Sequence, residues 1–208
     1  MKIIKAVVSI MMLLSICAIP AQAQDAKPQL GFFVTSNGLG KGGNLGGLAG
    51  ADNHCKALAE KVGAGIRTWR AYLSTQGPDA VNARDRIGKG PWHNAAGRLV
   101  GQDVAELHSH LTRVSVREAV AENGNNIPGG GFSPNRHDIL TGSQPDGTAF
   151  PAGDDMTCNN WTSSDAGKAK VGHHDRAAWN SAHDTRGCSQ EQLIATGGDG
   201  LFYCFAAD

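Results

Sequence analysis

The sequence predicts an α+β fold for one domain that follows an export signal. Three observations predict it. Short apolar or alternating segments are typical of strands, and one segment has the periodicity of an amphipathic helix. Long connections are rich in glycine, of which the 208-residue chain has 28. A domain that begins near residue 31 is long enough to bury a sizeable core.

The N-terminus has the layout of a secretory signal peptide. Met1–Lys5 is a short basic head, Ala6–Ile19 is an apolar run, and Ala21–Ala23 carries small residues at the first and third positions of a cleavage signal. The apolar run is too short to span a bilayer comfortably, and no later segment is apolar for longer. We therefore expect a secreted or periplasmic product without a membrane span. The expected parts are a signal peptide at 1–23, a linker at 24–30 and one domain at 31–208.

The charge balance disfavours a polyanionic partner. The chain has 19 Lys and Arg against 19 Asp and Glu. Lys2 and Lys5 leave with the signal peptide, which has no acidic residue, so the mature chain has a formal charge of −2. A chain this balanced is not expected to bind nucleic acid or an anionic membrane surface.

The cysteines predict two disulfides. Cys17 lies in the signal, which leaves Cys55, Cys158, Cys188 and Cys204. An even number in an exported chain favours disulfides, and four cysteines allow three pairings among which the residues alone do not choose. The alternative, a zinc site of four thiolates, is disfavoured because no two cysteines have the C-x-x-C spacing.

The first half of the domain reads as strand, helix and strand. Gly31–Thr35 predicts a buried strand, followed by a glycine-rich turn at 37–47. The spacing of the apolar residues predicts a helix over 48–62, which ends at Gly63. The alternating segment Thr68–Ser74 predicts a second strand. The apolar positions of the helix are Leu48, Ala51, Cys55, Leu58, Ala59 and Val62.

The second half is dominated by loops. We expect a short helix near 102–108, a long surface loop at 123–134 and a turn at 142–147. Cys158–Thr162 is interpreted as a short strand. Gly200–Phe205 is apolar on both faces, which is typical of a strand buried on both sides.

Several segments follow one another in an order that resembles one family. They are Gly46–Cys55, Arg70–Ser74, Ala83–Arg86, Leu140–Ser143, Pro145–Gly147, Cys158–Thr162, Cys188 and Phe202–Cys204. Together they resemble endostatin, the C-terminal module of certain collagens, and exported bacterial endostatin-like proteins. The similarity spans roughly residues 31–208.

This resemblance implies a C-type-lectin-like fold in which the terminal strands pair, with long loops and one clear helix. It also implies nested disulfides, Cys55–Cys204 and Cys158–Cys188, and a glycan or an extracellular matrix protein as partner. The zinc site of endostatin is not implied, because its histidines lie at the N-terminus and the segment 24–28 has none.

A calcium site is one candidate. Gln144-Pro145-Asp146 and the later Trp179-Asn180 resemble the two triplets with which sugar-binding C-type lectins hold calcium. Calcium needs about six to eight oxygen ligands, and Ser181 stands where the second triplet has aspartate. Asp154 and Asp155 could supply further carboxylate ligands to the same calcium ion. The favoured alternative is a plain Pro-Asp-Gly turn.

A histidine cluster is the second candidate. His173, His174 and His183, with Asp175, are suitable ligands for zinc or copper, although their spacing matches no established motif. The alternatives are a structural polar loop and a sugar platform. In the platform Trp179 would stack on the ring, and Asn180, His174 and Asp175 would bind its hydroxyls.

Arginines form the third candidate, because guanidinium groups match sulfate and carboxylate. Arg70, Arg84 and Arg86 lie in segments that match endostatin, which binds heparin. The favoured alternative is a solvated face of ion pairs.

The chain carries no G-x-S-x-G and no phosphate-binding glycine loop, so an enzyme is not expected. We predict a non-catalytic exported binding module whose ligand surface lies in the loops at 123–150 and 165–187. The alternatives are a metal-dependent periplasmic enzyme centred on His173, His174 and His183, and a structural envelope protein. No cofactor is firmly implied, with calcium and zinc as the candidates.

Overall fold

A computed structural model describes residues 28–208. The signal peptide predicted at 1–23 and most of the linker lie outside these residues. Within them, no helix has the length and the hydrophobicity that a membrane crossing requires. The described part is a mixed α+β structure with one main helix and two disulfides.

The elements follow one another as short strands separated by long connections. The strands are β1 (Phe32–Val34), β2 (Trp69–Ala71), β3 (Trp92–His93), β4 (Leu99–Gly101), β5 (Asp138–Leu140), β6 (Lys170–His173), β7 (His183–Asp184) and β8 (Gly198–Ala206). The helices are α1 (Gly47–Lys61), α2 (Val104–Leu107), α3 (Cys158–Trp161) and α4 (Gln190–Ile194), with a 3₁₀ turn at Ala83–Asp85.

The last strand is the centre of the main sheet. β8 pairs antiparallel with both β1 and β2, and parallel with β5. The order across the sheet is β1-β8-β5-β6-β7, with β2 beside β8, and β3 and β4 form a separate pair. The predicted pairing of the terminal strands is therefore confirmed.

Both faces of β8 are buried, as its sequence predicts. Phe202, Cys204 and Ala206 belong to the core cluster that includes α1. The alternate residues Tyr203 and Phe205 belong to a second cluster on the other face. A single strand therefore contributes side chains to two core layers, because its successive residues point to opposite faces.

The predicted helix is confirmed as α1, whose buried residues are Ala51, Cys55, Leu58 and Ala59. Cys55 joins Cys204 on β8, and Cys158 joins Cys188. The nested pairing that the resemblance implies is therefore confirmed.

The prediction of a strand at Cys158–Thr162 is wrong. Cys158, Asn159, Asn160 and Trp161 all have positive φ, between 47° and 66°, so α3 is a left-handed helical turn. Hydrogen bonds from side chains stabilise this turn. Asp155 accepts from the amides of Thr157 and Asn159, and Asn160 bonds to the backbone N–H and C=O of Gln76. Asparagine tolerates this conformation better than most residues.

Candidate metal centre

Three neighbouring strands at one edge of the main sheet bring four ionisable side chains together. Antiparallel pairing sets Asp138 on β5 opposite His173 on β6. The next pairing sets His183 on β7 opposite Val171, which lies two residues from His173 and so on the same face. His137 directly precedes β5. We refer to His137, Asp138, His173 and His183 as the edge cluster.

One carboxylate oxygen lies at the middle of the edge cluster. Oδ1 of Asp138 is 3.1 Å from Nε2 of His137, 3.2 Å from Nε2 of His173 and 3.3 Å from Nε2 of His183. The rings of His137 and His173 are stacked, with centroids 4.4 Å apart. Donor atoms of His137, Asp138 and His173 all lie within 4.8 Å of one another.

None of these contacts has the geometry of a well-formed hydrogen bond. Within residues 28–208, neither carboxylate oxygen of Asp138 has a partner that meets strict hydrogen-bond geometry, and neither has Nε2 of His173. Against the effect of burial, Thr196 and His183 lie near enough to Asp138 to lower its pKa by weaker hydrogen bonding. The side chain of Asp138 is only 1 % exposed, so water has little access to its carboxylate oxygens. A buried carboxylate without a partner costs several kcal/mol, and a cation held by the same atoms removes that cost.

The distances match a tetrahedral ion. Zinc binds imidazole nitrogen and carboxylate oxygen at about 2.0–2.2 Å, so the edges of its coordination tetrahedron are about 3.3–3.6 Å long. The three distances from Asp138, 3.1–3.3 Å, lie at or slightly below the short end of that range and describe the three edges that meet at its oxygen. Three imidazoles and one carboxylate are donors that suit zinc or copper better than calcium, which takes oxygen ligands.

Burial changes the ionisation of the cluster. Burial, with the neighbouring His137 and His183, lowers the pKa of His173 to about 4, so this imidazole is neutral at pH 7. Burial raises the pKa of the Asp138 carboxyl, and the nearby His183 and His137 oppose the shift. Neutral imidazole is the form that binds a metal ion.

A second carboxylate supports the outer nitrogen of His137. Oδ1 of Asp175 lies 3.5 Å from Nδ1 of His137, and Oδ2 of Asp175 accepts a 2.7 Å hydrogen bond from the amide of Gly130. Burial alone would raise the pKa of Asp175, but the Gly130 amide and the adjacent histidines lower it below its ordinary value. At 3.5 Å this contact is an electrostatic one, since neither Nδ1 of His137 nor Oδ1 of Asp175 has a hydrogen-bond partner within residues 28–208. A shorter contact of this kind would orient His137 as a metal ligand.

The structure places the predicted histidines in two different environments. His173 and His183 share the edge cluster, whereas His174 is fully buried away from it. The reason is that β6 ends at His173, and His174 lies in the turn that follows it. The backbone amide of His174 donates to the carbonyl of His137, so this residue ties the two segments together through its main chain.

The two lectin-like triplets do meet, through the side chain of Asn180. Its Nδ2 donates to the backbone carbonyls of Gln144 and Pro145 and to the hydroxyl of Tyr72. Asp146 accepts from the amide and hydroxyl of Thr148, which closes the turn. These contacts are those of a structural turn.

Trp179, the predicted stacking platform, is buried. Its ring is 2 % exposed and its Nε1 donates to the carbonyl of Leu107. A ring in this position has no open face for a sugar. Of the two further carboxylates, Asp155 caps the left-handed turn and Asp154 is 81 % exposed, 3.8 Å from Lys168.

The arginines are largely occupied by partners within the protein. Arg70 and Arg86 both pair with Asp52, at 2.9 and 2.8 Å. Arg84 donates to the carbonyl of Asp146. These contacts fit the interpretation as a face of ion pairs.

Sequence reasoning missed His137 and Asp138. They immediately precede Ile139 and Leu140, a short apolar run, and a His-Asp pair at the start of a strand was the available signal. The run was too short to be recognised as a strand. A scan of the sequence against protein-family models finds no match, and a search of curated proteins finds no significant relative.

Proposed function

We propose that this protein is an exported, disulfide-bonded module that binds a divalent transition metal ion of the zinc type at the edge cluster. The observation that carries the proposal is the Asp138 carboxylate, which is buried, has no partner in strict hydrogen-bond geometry among residues 28–208 and faces three imidazole nitrogens at 3.1–3.3 Å. Three strands of a disulfide-bonded sheet hold these donors, so little order has to be created when the ion binds.

A non-catalytic role depends on His183 as a fourth ligand. Structural zinc sites are closed by four protein ligands, whereas catalytic sites keep a position for water or substrate. Donor atoms of His137, Asp138 and His173 lie within 4.8 Å of one another, and His183 faces the same oxygen of Asp138 at 3.3 Å. The endostatin-like, C-type-lectin-like fold and the export are parts of the same proposal, supported by the sequence resemblance, the paired terminal strands and the two disulfides.

Calorimetric titration of chelator-treated protein with zinc tests the proposal. We expect one equivalent of zinc to bind to the unchanged protein. His173→Ala should weaken the affinity by more than about tenfold, since it removes one of the ligands. His110→Ala is the matched control, because His110 is exposed and lies outside the edge cluster. No zinc binding, or equal losses in the two variants, would contradict the proposal.

A second candidate is the metal-dependent enzyme, now centred on His137, Asp138 and His173. The observation that favours it is His183, whose side chain is 41 % exposed and which lies at the open side of the cluster. An ion held by three ligands would leave a position for water there. If only three residues bind the ion, His183→Ala should keep nearly the full zinc affinity. If His183 is a fourth ligand, His183→Ala should weaken the affinity as much as His173→Ala does.

Binding of a glycan or matrix protein stays a prediction without a located site. The loops at 123–150 and 165–187 remain the proposed binding surface. The ring of Trp179 is buried in the core, so it is not accessible to a glycan. A glycan array tests this prediction independently of zinc. The unchanged protein should bind at least one glycan, and Arg84→Gln should bind it more weakly.

A further inference from the structure

A cleft lies beside the long loop, on segments that contribute none of the edge cluster. Its volume is about 500 Å³, within the range of sites that hold small organic ligands. It is lined by Arg98, Val116, Arg117, Asn126, Ile127, Pro128, Gly129 and Phe132.

The apolar lining is unusually open to solvent. Phe132 is 68 % exposed and Val116 is 46 % exposed, while Ile127 is buried at the base. An exposed phenylalanine beside a concave apolar surface gains free energy when a ligand covers it, at about 25 cal/mol for each Å² removed from water.

The charge of the cleft has one sign. Arg98 and Arg117 line it, and no acidic side chain does. Arg98 is held in place, since it lies 3.6 Å from Glu118 and donates to the carbonyl of Arg117. Within residues 28–208, the guanidinium of Arg117 has no ion-pair or hydrogen-bond partner, although the side chain lines the cleft. It is therefore free to pair with an anion from outside.

We infer that this cleft binds a small amphiphilic anion, a monocarboxylate with an aliphatic or aromatic body. The body covers Phe132, Val116 and Ile127, and the carboxylate pairs with the guanidinium of Arg117. Apolar surface supplies the affinity and the arginine supplies the preference for an anion, because a guanidinium matches a carboxylate with two parallel hydrogen bonds. This inference does not depend on metal binding.

Calorimetric titration with decanoate tests the inference on the whole mature chain, treated with chelator. We expect one equivalent to bind. Phe132→Ala should weaken the affinity by about tenfold or more, since it removes the largest exposed apolar contact. Arg117→Gln should weaken it by about fivefold or more through loss of the ion pair. Decyltrimethylammonium, with the same chain and a cationic head, should bind at least fivefold more weakly than decanoate.

Two control variants make the same changes elsewhere. Ile66→Ala removes an apolar side chain that is 91 % exposed, and Arg186→Gln removes an exposed positive charge outside the cleft. Both should leave decanoate affinity unchanged. Circular dichroism confirms that each variant is folded.

Three results would overturn the inference: no decanoate binding by the unchanged protein, equal affinity for the cationic amphiphile, or equal losses in test and control variants. A dimer that dissociates on Phe132→Ala, without decanoate binding, would assign the cleft to a second copy of the chain and overturn it as well.

Discussion

At the scale of single residues, Asp138 dominates the chemistry of the sheet edge. Its side chain is buried, its oxygens have no partner in strict hydrogen-bond geometry within residues 28–208, and three imidazoles converge on it. A buried charge in this state destabilises the metal-free protein, whereas the same charge becomes favourable when a cation binds. If the proposed metal binds, this one carboxylate links the stability of the fold to the presence of the ion.

Replacing Asp138 with Asn separates these two effects. In metal-free protein we expect Asp138→Asn to leave the melting temperature unchanged or raise it, because the uncompensated charge is removed. Zinc at about 100 times its Kd should stabilise the unchanged protein by about 2.7 kcal/mol, a rise of roughly 5–10 °C, and should stabilise the variant much less. Differential scanning fluorimetry with and without zinc measures both. A variant that melts lower but keeps the zinc shift would contradict this role.

His108 couples stability to pH from a different part of the core. Its Nδ1 donates to the carbonyl of Val104, so its Nε2 accepts from the hydroxyl of Tyr72 at 2.7 Å. Burial, and secondarily the charge of Arg84, lowers the pKa of His108, against the effect of the Val104 carbonyl and Asp146. The folded state thus favours neutral imidazole.

We expect the free energy of unfolding to decrease as the pH falls below about 6.5, the value for unfolded histidine. The folded pKa is lower, so the unfolded state binds more protons in that window, and the contribution of His108 is fully present only above it. His108→Gln cannot titrate and should reduce this pH dependence. Urea unfolding of chelator-treated protein at pH 5 and 7.5 measures it, and identical pH dependence in the two proteins would contradict the assignment.

At the scale of elements, β6 is held close to the chain that follows it. Gly172 lies between Val171 and His173, and a Cβ at this position would be 1.8 Å from the carbonyl oxygen of Trp179. The close approach supports both the edge cluster and the turn that buries Trp179. A glycine is needed here for space, because its φ is not in the left-handed region.

Gly172→Ala should therefore destabilise the protein by about 3 kcal/mol and also weaken zinc binding, since it displaces the strand that carries His173. Gly101→Ala, in β4, is the matched control. There a Cβ would be 3.3 Å from the flexible end of Leu107, so a change below about 1 kcal/mol is expected. Urea unfolding and zinc titration measure the two effects. Equal destabilisation in both variants would show that the contact with Trp179 is not responsible.

At the scale of the whole molecule, two nested disulfides join distant parts of the chain. Cys55–Cys204 connects α1 to the central strand across a sequence separation of 149 residues. Cys158–Cys188 closes a separation of 30 residues around β6 and β7. The outer bridge restricts almost the whole domain in the unfolded state, and the inner bridge encloses His173 and His183 of the edge cluster.

Loop-closure entropy predicts different losses for the two bridges. Removing Cys55–Cys204 by a double Ala substitution should cost roughly 5 kcal/mol, and removing Cys158–Cys188 roughly 3–4 kcal/mol. Only the inner change should also weaken zinc binding, because it frees the segment that carries His173 and His183. Urea unfolding measures the free energy of unfolding of both variants. A larger decrease on removal of the inner bridge than of the outer bridge would contradict the prediction.

The sequence by itself determined the elements whose signals are local. The spacing of Ala51, Cys55 and Leu58 requires one face of a helix, and the unbroken apolar run before Cys204 requires a strand buried on both faces. The number of cysteines determined that two bridges were available, and the family resemblance supplied their pairing.

Only the tertiary structure decided which side chains meet. Asp138 and His173 are 35 residues apart in sequence, and the register between β5 and β6 sets them opposite each other. That register depends on long-range packing, which no local pattern reports. The left-handed turn at Cys158–Trp161 and the burial of Trp179 have the same origin: contacts with distant segments outweigh the local preferences of the chain.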